Sequence, residues 1–237
     1  MTKRASAVLS AGVLILAGVL AGCSDDGDGG DFAKQGYDDI KKDAIKAMGD
    51  LKAVHVDAAL TSEGTEITLN MSMSESGDCT GELSFGGAGA EILQTADGAW
   101  FKPNADLLQQ QFGDQAADVS EFIGDKWVAD TDGAVVAGNC DLEDFLENVT
   151  SDEEKDSNTD VGDTEELDGE EVVKITFTSD EGDGAAYIRT SEPHYIAKFE
   201  IEEGESPGSV TFSEFDEDVD AETPSDDDVV DLNDFAG

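Results

Sequence analysis

Three observations predict an α+β fold built on a strongly curved antiparallel β-sheet, a half-open barrel wrapped around or capped by helices. Most of the chain alternates apolar and polar residues with a period of two. One segment near the front has helical period instead, and a second helical block interrupts the strands mid-chain. The clearest alternation sets Ile67, Leu69, Met71 and Met73 against Thr68, Asn70, Ser72 and Ser74. A core is feasible: 38% of the residues are hydrophobic, although 57 acidic residues face only 13 basic ones and the net charge is −44. That composition argues against disorder for the middle of the chain.

Lys3 and Arg4 are followed by an almost unbroken apolar run, Ala5 to Val19, and then by Leu20-Ala21-Gly22-Cys23. Charge, a short apolar stretch and small residues at a cleavage point are the order of a secretory signal peptide. The cysteine just past the cut resembles a bacterial lipobox, whose thiol is diacylated. A membrane-spanning helix is the rival, but the run falls short of the ~20 residues needed and is rich in Ala, Gly and Ser. The expected organisation is a lipoprotein signal at 1–22, then a lipidated Cys23 and a flexible acidic, Gly-rich tether to residue 31. A single curved-sheet domain over 32–215 and a partly docked acidic tail over 216–237 complete it. The expected location is the extracytoplasmic face of the cell membrane.

In chain order, Tyr37, Ile40, Ala44, Ala47 or Met48, and Leu51 recur at spacings of three and four, which predicts an amphipathic helix over 32–51. Lys34, Lys41, Lys42, Lys46 and Lys52 lie off that stripe. They are five of the eleven basic residues left once Lys3 and Arg4 are removed. An ordinary solvated helix face is one reading, and approach to anionic headgroups beside the anchor is the other. Strands follow at Val54–Thr61, Ile67–Ser74, Thr80–Phe85, Glu91–Ala96 and Ala99–Lys102, with turns at Glu63-Gly64-Thr65 and Asp97-Gly98. Helices are predicted over 104–113 and 114–123, capped by Asn104 and Asp114, and over 140–148, capped by Asn139. Between them Lys126 to Val128 reads as a short extended piece. Residues 150–163 read as a charged loop. Four meander strands then carry Val173/Ile175/Phe177, Ala185–Thr190 after a Gly182–Gly184 turn, Tyr195/Ala197/Phe199/Ile201, and Val210/Phe212. Val219, Val229, Val230 and Leu232 equip the tail to dock along a sheet edge.

The charge excludes nucleic acid as a partner, because phosphates would be repelled. Dense carboxylates also suit a surface kept hydrated in high salt. With Cys23 assigned to lipid, Cys79 and Cys140 remain, and outside the membrane such a pair most often forms a disulfide. Closing that loop is worth about 4 kcal/mol in the chain-entropy model. A metal site has no support: His55 and His194 stand alone, and the aspartates of 24–31 lack the spacing of a Ca²⁺ loop. No nucleophile elbow, phosphate loop, dinucleotide fingerprint or zinc-protease helix occurs. Carboxylate pairs carry no signal among 57 acidic residues. The chain is expected to be a non-enzyme without cofactor. Leu69, Met71, Met73, Phe85, Trp100, Leu107, Phe112, Phe177, Tyr187 and Phe199 are the candidates to line the interior, which is either filled core or a cavity for a flexible apolar ligand.

The lipobox, "MGDLKAVHVDAAL", "CTGELSF", "ADGAWFKPNADLL", "GDKWV", "CDLEDFLENV", "AAYIRTSEPHYIAKFEIE" and "VTFSEFDEDVDAETPSDDDVVDL" together resemble actinobacterial-type lipoproteins of the LppX/LprG-like family, with a LolA/LolB-like fold. The resemblance spans about residues 32–232. It implies binding of lipid or lipoglycan acyl chains and their transfer across the envelope. The membrane, a lipid ligand and a membrane transporter are then the partners. The competing reading is a non-catalytic envelope sensor or interaction module with a filled core.

Overall fold

The computed structural model describes residues 29–131, 133, 135–136, 138–150, 158–179, 182–204 and 206–235. The signal, Cys23 and most of the tether lie outside the described residues. The chain opens with α1 (Gly29–Phe32) and α2 (Tyr37–Gly49), then β1 (Ala53–Ser62), β2 (Thr65–Ser74), β3 (Cys79–Phe85), β4 (Ala88–Thr95) and β5 (Gly98–Pro103). Next come α3 (Ala105–Phe112), α4 (Ala116–Ile123), β6 (Trp127–Ala129) and α5 (Leu142–Thr150). The second half is β7 (Asn158–Leu167), β8 (Glu170–Ser179), β9 (Gly182–Arg189), β10 (Ile196–Gly204) and β11 (Gly208–Ser213), closed by β12 (Val229–Val230).

Among the described residues all twelve strands belong to one sheet, ordered β12-β6-β5-β4-β3-β2-β1-β11-β10-β9-β8-β7. Two antiparallel meanders are fused where β1 pairs with β11, Val56 opposite Phe212. In the tail, Val229 and Val230 run parallel to Trp127 and Val128 and cover the β6 edge. The β1–β2 hairpin turns through Glu63 and Gly64, both with positive φ, as a two-residue turn requires.

The helices gather on the concave face. Ile40, Ala44 and Met48 are buried from α2 and join Val54, Val56, Met71 and Met73 in one core. Both ends of the α1–α2 segment are fixed at the same end of the sheet. The Phe32 ring stacks on His194, in the β9–β10 turn, at 3.6 Å. The Lys52 amide donates to Asp216 at 2.8 Å, and the Glu75 amide donates to the Lys52 carbonyl at 2.7 Å. Thus α2 bars one end of the half-barrel, called here the α2 end. The turns at 62–65, 85–88 and 206–208 mark the far end.

Several local expectations are corrected. Asn104 does cap α3, accepting from the Leu107 amide at 2.9 Å. Asp114 instead falls in a 3₁₀ turn, and α4 begins two residues later with no side-chain cap. The α5 cap is Asp141, which accepts from the Asp144 amide at 3.0 Å, while Asn139 donates to the Val135 carbonyl. The second half has five strands, not four, because β7 occupies part of the expected charged loop. It is an edge strand, exposed at most positions, held by backbone pairing to β8 and bulged between Val161 and Thr164. Gly182 to Gly184 is strand rather than turn: a Cβ on Gly184 would come within 2.6 Å of the Phe177 ring, so only glycine lets Phe177 lie across β9. A register shift between Ile196 and Lys198 splits the expected Tyr195/Ala197/Phe199 face, sending Ile196 and Phe199 inward and Ala197 outward.

Candidate functional site

On the concave face, strand register brings one residue from each strand into line, forming rows across the sheet. Nearest the α2 end, Val54, Met73 and Cys79 are adjacent. The next row holds Phe212, Val56, Met71, Gly81, Ile92 and Phe101. These two rows are sealed; Val56, Met71 and Met73 are 0% exposed. The third row holds Phe199, Val210, Ala58, Leu69, Leu83 and Ala90, of which Phe199, Val210, Leu69 and Leu83 are half-buried. The last row runs Phe177, Gly184, Ile201, Gly208, Leu60, Ile67 and Phe85. Leu60, Ile67, Phe177 and Ile201 are half-buried there, and Phe85 is 52% exposed. An apolar surface therefore opens progressively from a packed floor toward the far end. It is made of branched and aromatic side chains with no charged side chain in the last two rows.

Of the predicted lining residues, Met71 and Met73 form the floor, Leu69 and Phe199 the third row, Phe85 and Phe177 the rim. Leu107 and Phe112 of α3 pack, partly buried, against the same core. Trp100 and Tyr187 are placed elsewhere. In β5 it is Phe101 that points into the core, so Trp100 faces the convex side, opposite Leu93. Tyr187 sits in a separate convex cluster with Val172, Ala185 and Ala197. Both are aromatic residues in alternating strands, and the period of two fixes which residues share a face without saying which face is inside. Leu60, Ile67, Leu83, Ile201 and Val210 belong to the rim rows without being among the expected lining residues. The signal that could have found them is the same alternation followed to each strand's last residue.

The disulfide joins Cys79 and Cys140, with Cα atoms 5.6 Å apart, at the α2 end. It fixes α5 beside α2 rather than beside α3. A groove of about 610 Å³ adjoins it, bounded by Leu51, Glu75, Gln94, Asp141, Leu146 and Glu147. A second, of about 440 Å³, lies over Glu82, Glu91, Lys102 and Lys126. None of the ten predicted lining residues borders either.

Polar side chains lie mainly on the convex face and at the strand ends. His55 Nδ1 is 2.9 Å from Ser72 Oγ, a cross-strand contact on the convex side. Tyr187 donates to Glu200 at 3.0 Å, and this hydrogen bond chiefly holds the Glu200 carboxyl below its usual range. The same tyrosine, through a hydrogen bond, raises Lys174. Burial, then a 2.8 Å hydrogen bond to Asp216, pushes Tyr195 up to about 12. Among the described residues no three His, Cys, Asp or Glu side chains converge as metal ligands would.

These features define a class: a large open antiparallel sheet curled around a few helices, apolar inside and acidic outside. No family model and no curated protein matches the sequence. Solved structures do. The chain is similar to LprF from Mycobacterium bovis, with a TM-score of 0.54 at 16% identity over 83% of this chain and 98% of that one. It is also similar to the lipoprotein LppX of Mycobacterium tuberculosis, with a TM-score of 0.46 at 15% identity over 79% and 100% of the two chains. At that identity the LprF match shows a shared fold. Among the described residues no helix is long and apolar enough to cross a membrane.

Proposed function

We propose that the chain is an envelope lipoprotein, tethered through acylated Cys23, whose curved sheet holds the acyl part of a lipid against its far-end rows. The observation that carries this reading is the graded exposure of the concave face. A filled core would end in polar residues at the strand tips; here Leu60, Ile67, Phe177, Ile201 and Phe85 remain apolar and partly open. The leader sequence supports the anchored half of the reading, and the half-open sheet shared with LprF is the scaffold that the other half needs. Branched and aromatic walls without a fixed polar contact suit a flexible chain better than a small polar solute.

The test is mass spectrometry of lipid extracted from purified protein, followed by titration with the fluorescent fatty acid cis-parinaric acid. Co-purifying acyl lipid and saturable probe binding are expected. The Ile67→Asp, Ile201→Asp variant should lose probe binding at least tenfold while keeping its circular dichroism, because both side chains are already half-exposed. Clean protein that binds no probe would overturn the carrier reading and leave an interaction module. Independently, Cys23→Ala should move the protein out of the membrane fraction; tight, salt-resistant retention of that variant would overturn the anchor.

A further inference from the structure

The end from which the anchor departs and the end at which the apolar face opens are opposite ends of the sheet. The chain enters the fold at Gly29, and Phe32, three residues on, is stacked on His194 at the α2 end. Leu60, Ile67 and Ile201 lie near the other tips of their strands. Between the two ends runs β1, ten residues long, or about 33 Å at ~3.3 Å per residue. From Cys23 to Gly29 there are only six residue steps, which span at most about 20 Å when fully extended. A tether shorter than the strands cannot let the molecule turn over and set its rim on the bilayer that holds the anchor.

The two ends also differ in where their basic residues lie. The segment 29–52 balances five lysines against five aspartates, although the chain as a whole carries −44. Arg189 is at the α2 end too, its guanidinium 4.6 Å from the Phe215 ring centre. The far-end turns differ: Glu63, Glu66, Asp183, Glu202 and Glu203 are exposed there, and residues 62–66, 85–88, 182–183, 202–204 and 206–208 contain no lysine or arginine. The α2 end also carries exposed carboxylates beyond that helix, Glu75, Glu143, Glu147 and Glu217 among them, so it is the length of the tether and not charge that turns the rim from the bilayer.

We infer that the rim is presented away from the anchoring membrane and is a docking surface for a second protein, one with a basic collar around an apolar contact. This rests on the lipid-anchored carrier reading, and it specifies where that carrier exchanges its ligand. Carboxylates ringing half-exposed apolar residues favour a cationic partner, steer its approach, and leave the apolar centre to be covered on contact.

The experiment uses the full chain, lipidated in a lipoprotein-processing host and reconstituted into phosphatidylcholine vesicles with one-third phosphatidylglycerol. A fluorophore is placed at Glu63→Cys in one sample and at Lys42→Cys in another, and quenching by brominated lipid is measured. The inference expects strong quenching at 42 and little at 63; equal quenching, or more at 63, overturns it. In the second arm, cis-parinaric acid leaves the anchored protein for cationised or for native albumin. Transfer to cationised albumin should be at least tenfold faster in 20 mM salt, and the advantage should vanish in 0.5 M salt. It should also vanish in Glu63→Lys, Glu66→Lys, Glu202→Lys, Glu203→Lys, but persist when Asp218, Asp220, Glu222 and Asp226 of the tail are reversed instead. Equal loss in both quadruple variants would mean that general charge alone is at work and would overturn the docking surface. If no probe loads at all, the carrier reading falls, while the quenching arm still decides which end faces the membrane.

Discussion

Tyr195 gathers several of the contacts that hold the α2 end together. Its ring stacks on Phe215 at 4.4 Å, its hydroxyl donates to Asp216, and Asp216 in turn accepts from the Lys52 amide. Because burial raises its pKa to about 12, the folded state keeps the proton after the unfolded chain has lost it. Its share of stability is therefore complete below pH 10 and is lost as pH rises from 10 to 12. Absorbance at 295 nm should show a phenolate component near pH 12 that is missing from Tyr195→Phe; an unchanged high-pH component would contradict the assignment. Gly81 is a second residue whose role can be tested. With φ at +150°, a Cβ there would lie 2.6 Å from the Met71 Cα, in the tightest row of the floor. Gly81→Ala should cost about 1–3 kcal/mol in urea melts, through overpacking against the neighbouring strand. Neither residue could be valued from sequence. Gly81 reads as a weak spot within an alternating strand, and Tyr195 as one more apolar residue, because their roles depend on atoms far away in the chain.

Among the elements, α5 shows what a covalent tie adds to local packing. It has nine residues, buries Leu142 and Leu146, and is followed by a charged segment of low apolar content. The bond from Cys140 to Cys79 adds to that packing, tying the start of the helix to the first residue of β3. The Cys79→Ala, Cys140→Ala variant should lose about 2–4 kcal/mol of stability. Since the bond is at the α2 end, probe dissociation from the far-end rows should change less than twofold, and a large rise would show that α5 reaches the rim. Elements carried by their own pattern were legible in advance. β2 has clean alternation, and α2 has its stripe at three and four. β7 was not, since an edge strand with both faces wet has no hydrophobic period to read, and its pairing with β8 is backbone chemistry. The Ile196/Lys198 bulge was hidden for a related reason: one inserted residue exchanges the faces without altering composition.

For the whole molecule, charge governs what apolar periodicity does not. The two fused meanders and the concave core follow from that periodicity, which is why the half-open barrel could be anticipated. Which end of the half-barrel α2 closes could not, because it depends on contacts such as Phe32 with His194 and Lys52 with Asp216, far apart in the chain. Outside that core the surface carries a net charge near −44, and such a surface repels itself. The far end has exposed carboxylates and no lysine or arginine in its turns, while the ion pairs Lys34–Asp31 and Lys46–Asp50 are solvent-exposed and add little. Screening should therefore stabilise the fold. The Debye length falls from about 30 Å at 0.01 M to about 3 Å at 1 M, so most of the relief comes early in a salt series. Thermal melts in NaCl should show Tm rising steeply to roughly 0.2 M and more slowly beyond. Each kcal/mol gained corresponds to about 2–4 °C for a domain of this size. Potassium chloride should give the same curve, since screening depends on ionic strength and not on the cation. A Tm that is highest at the lowest salt would mean that attractive pairs outweigh repulsion on this surface, and the salt-adapted reading of its acidity would fail with it.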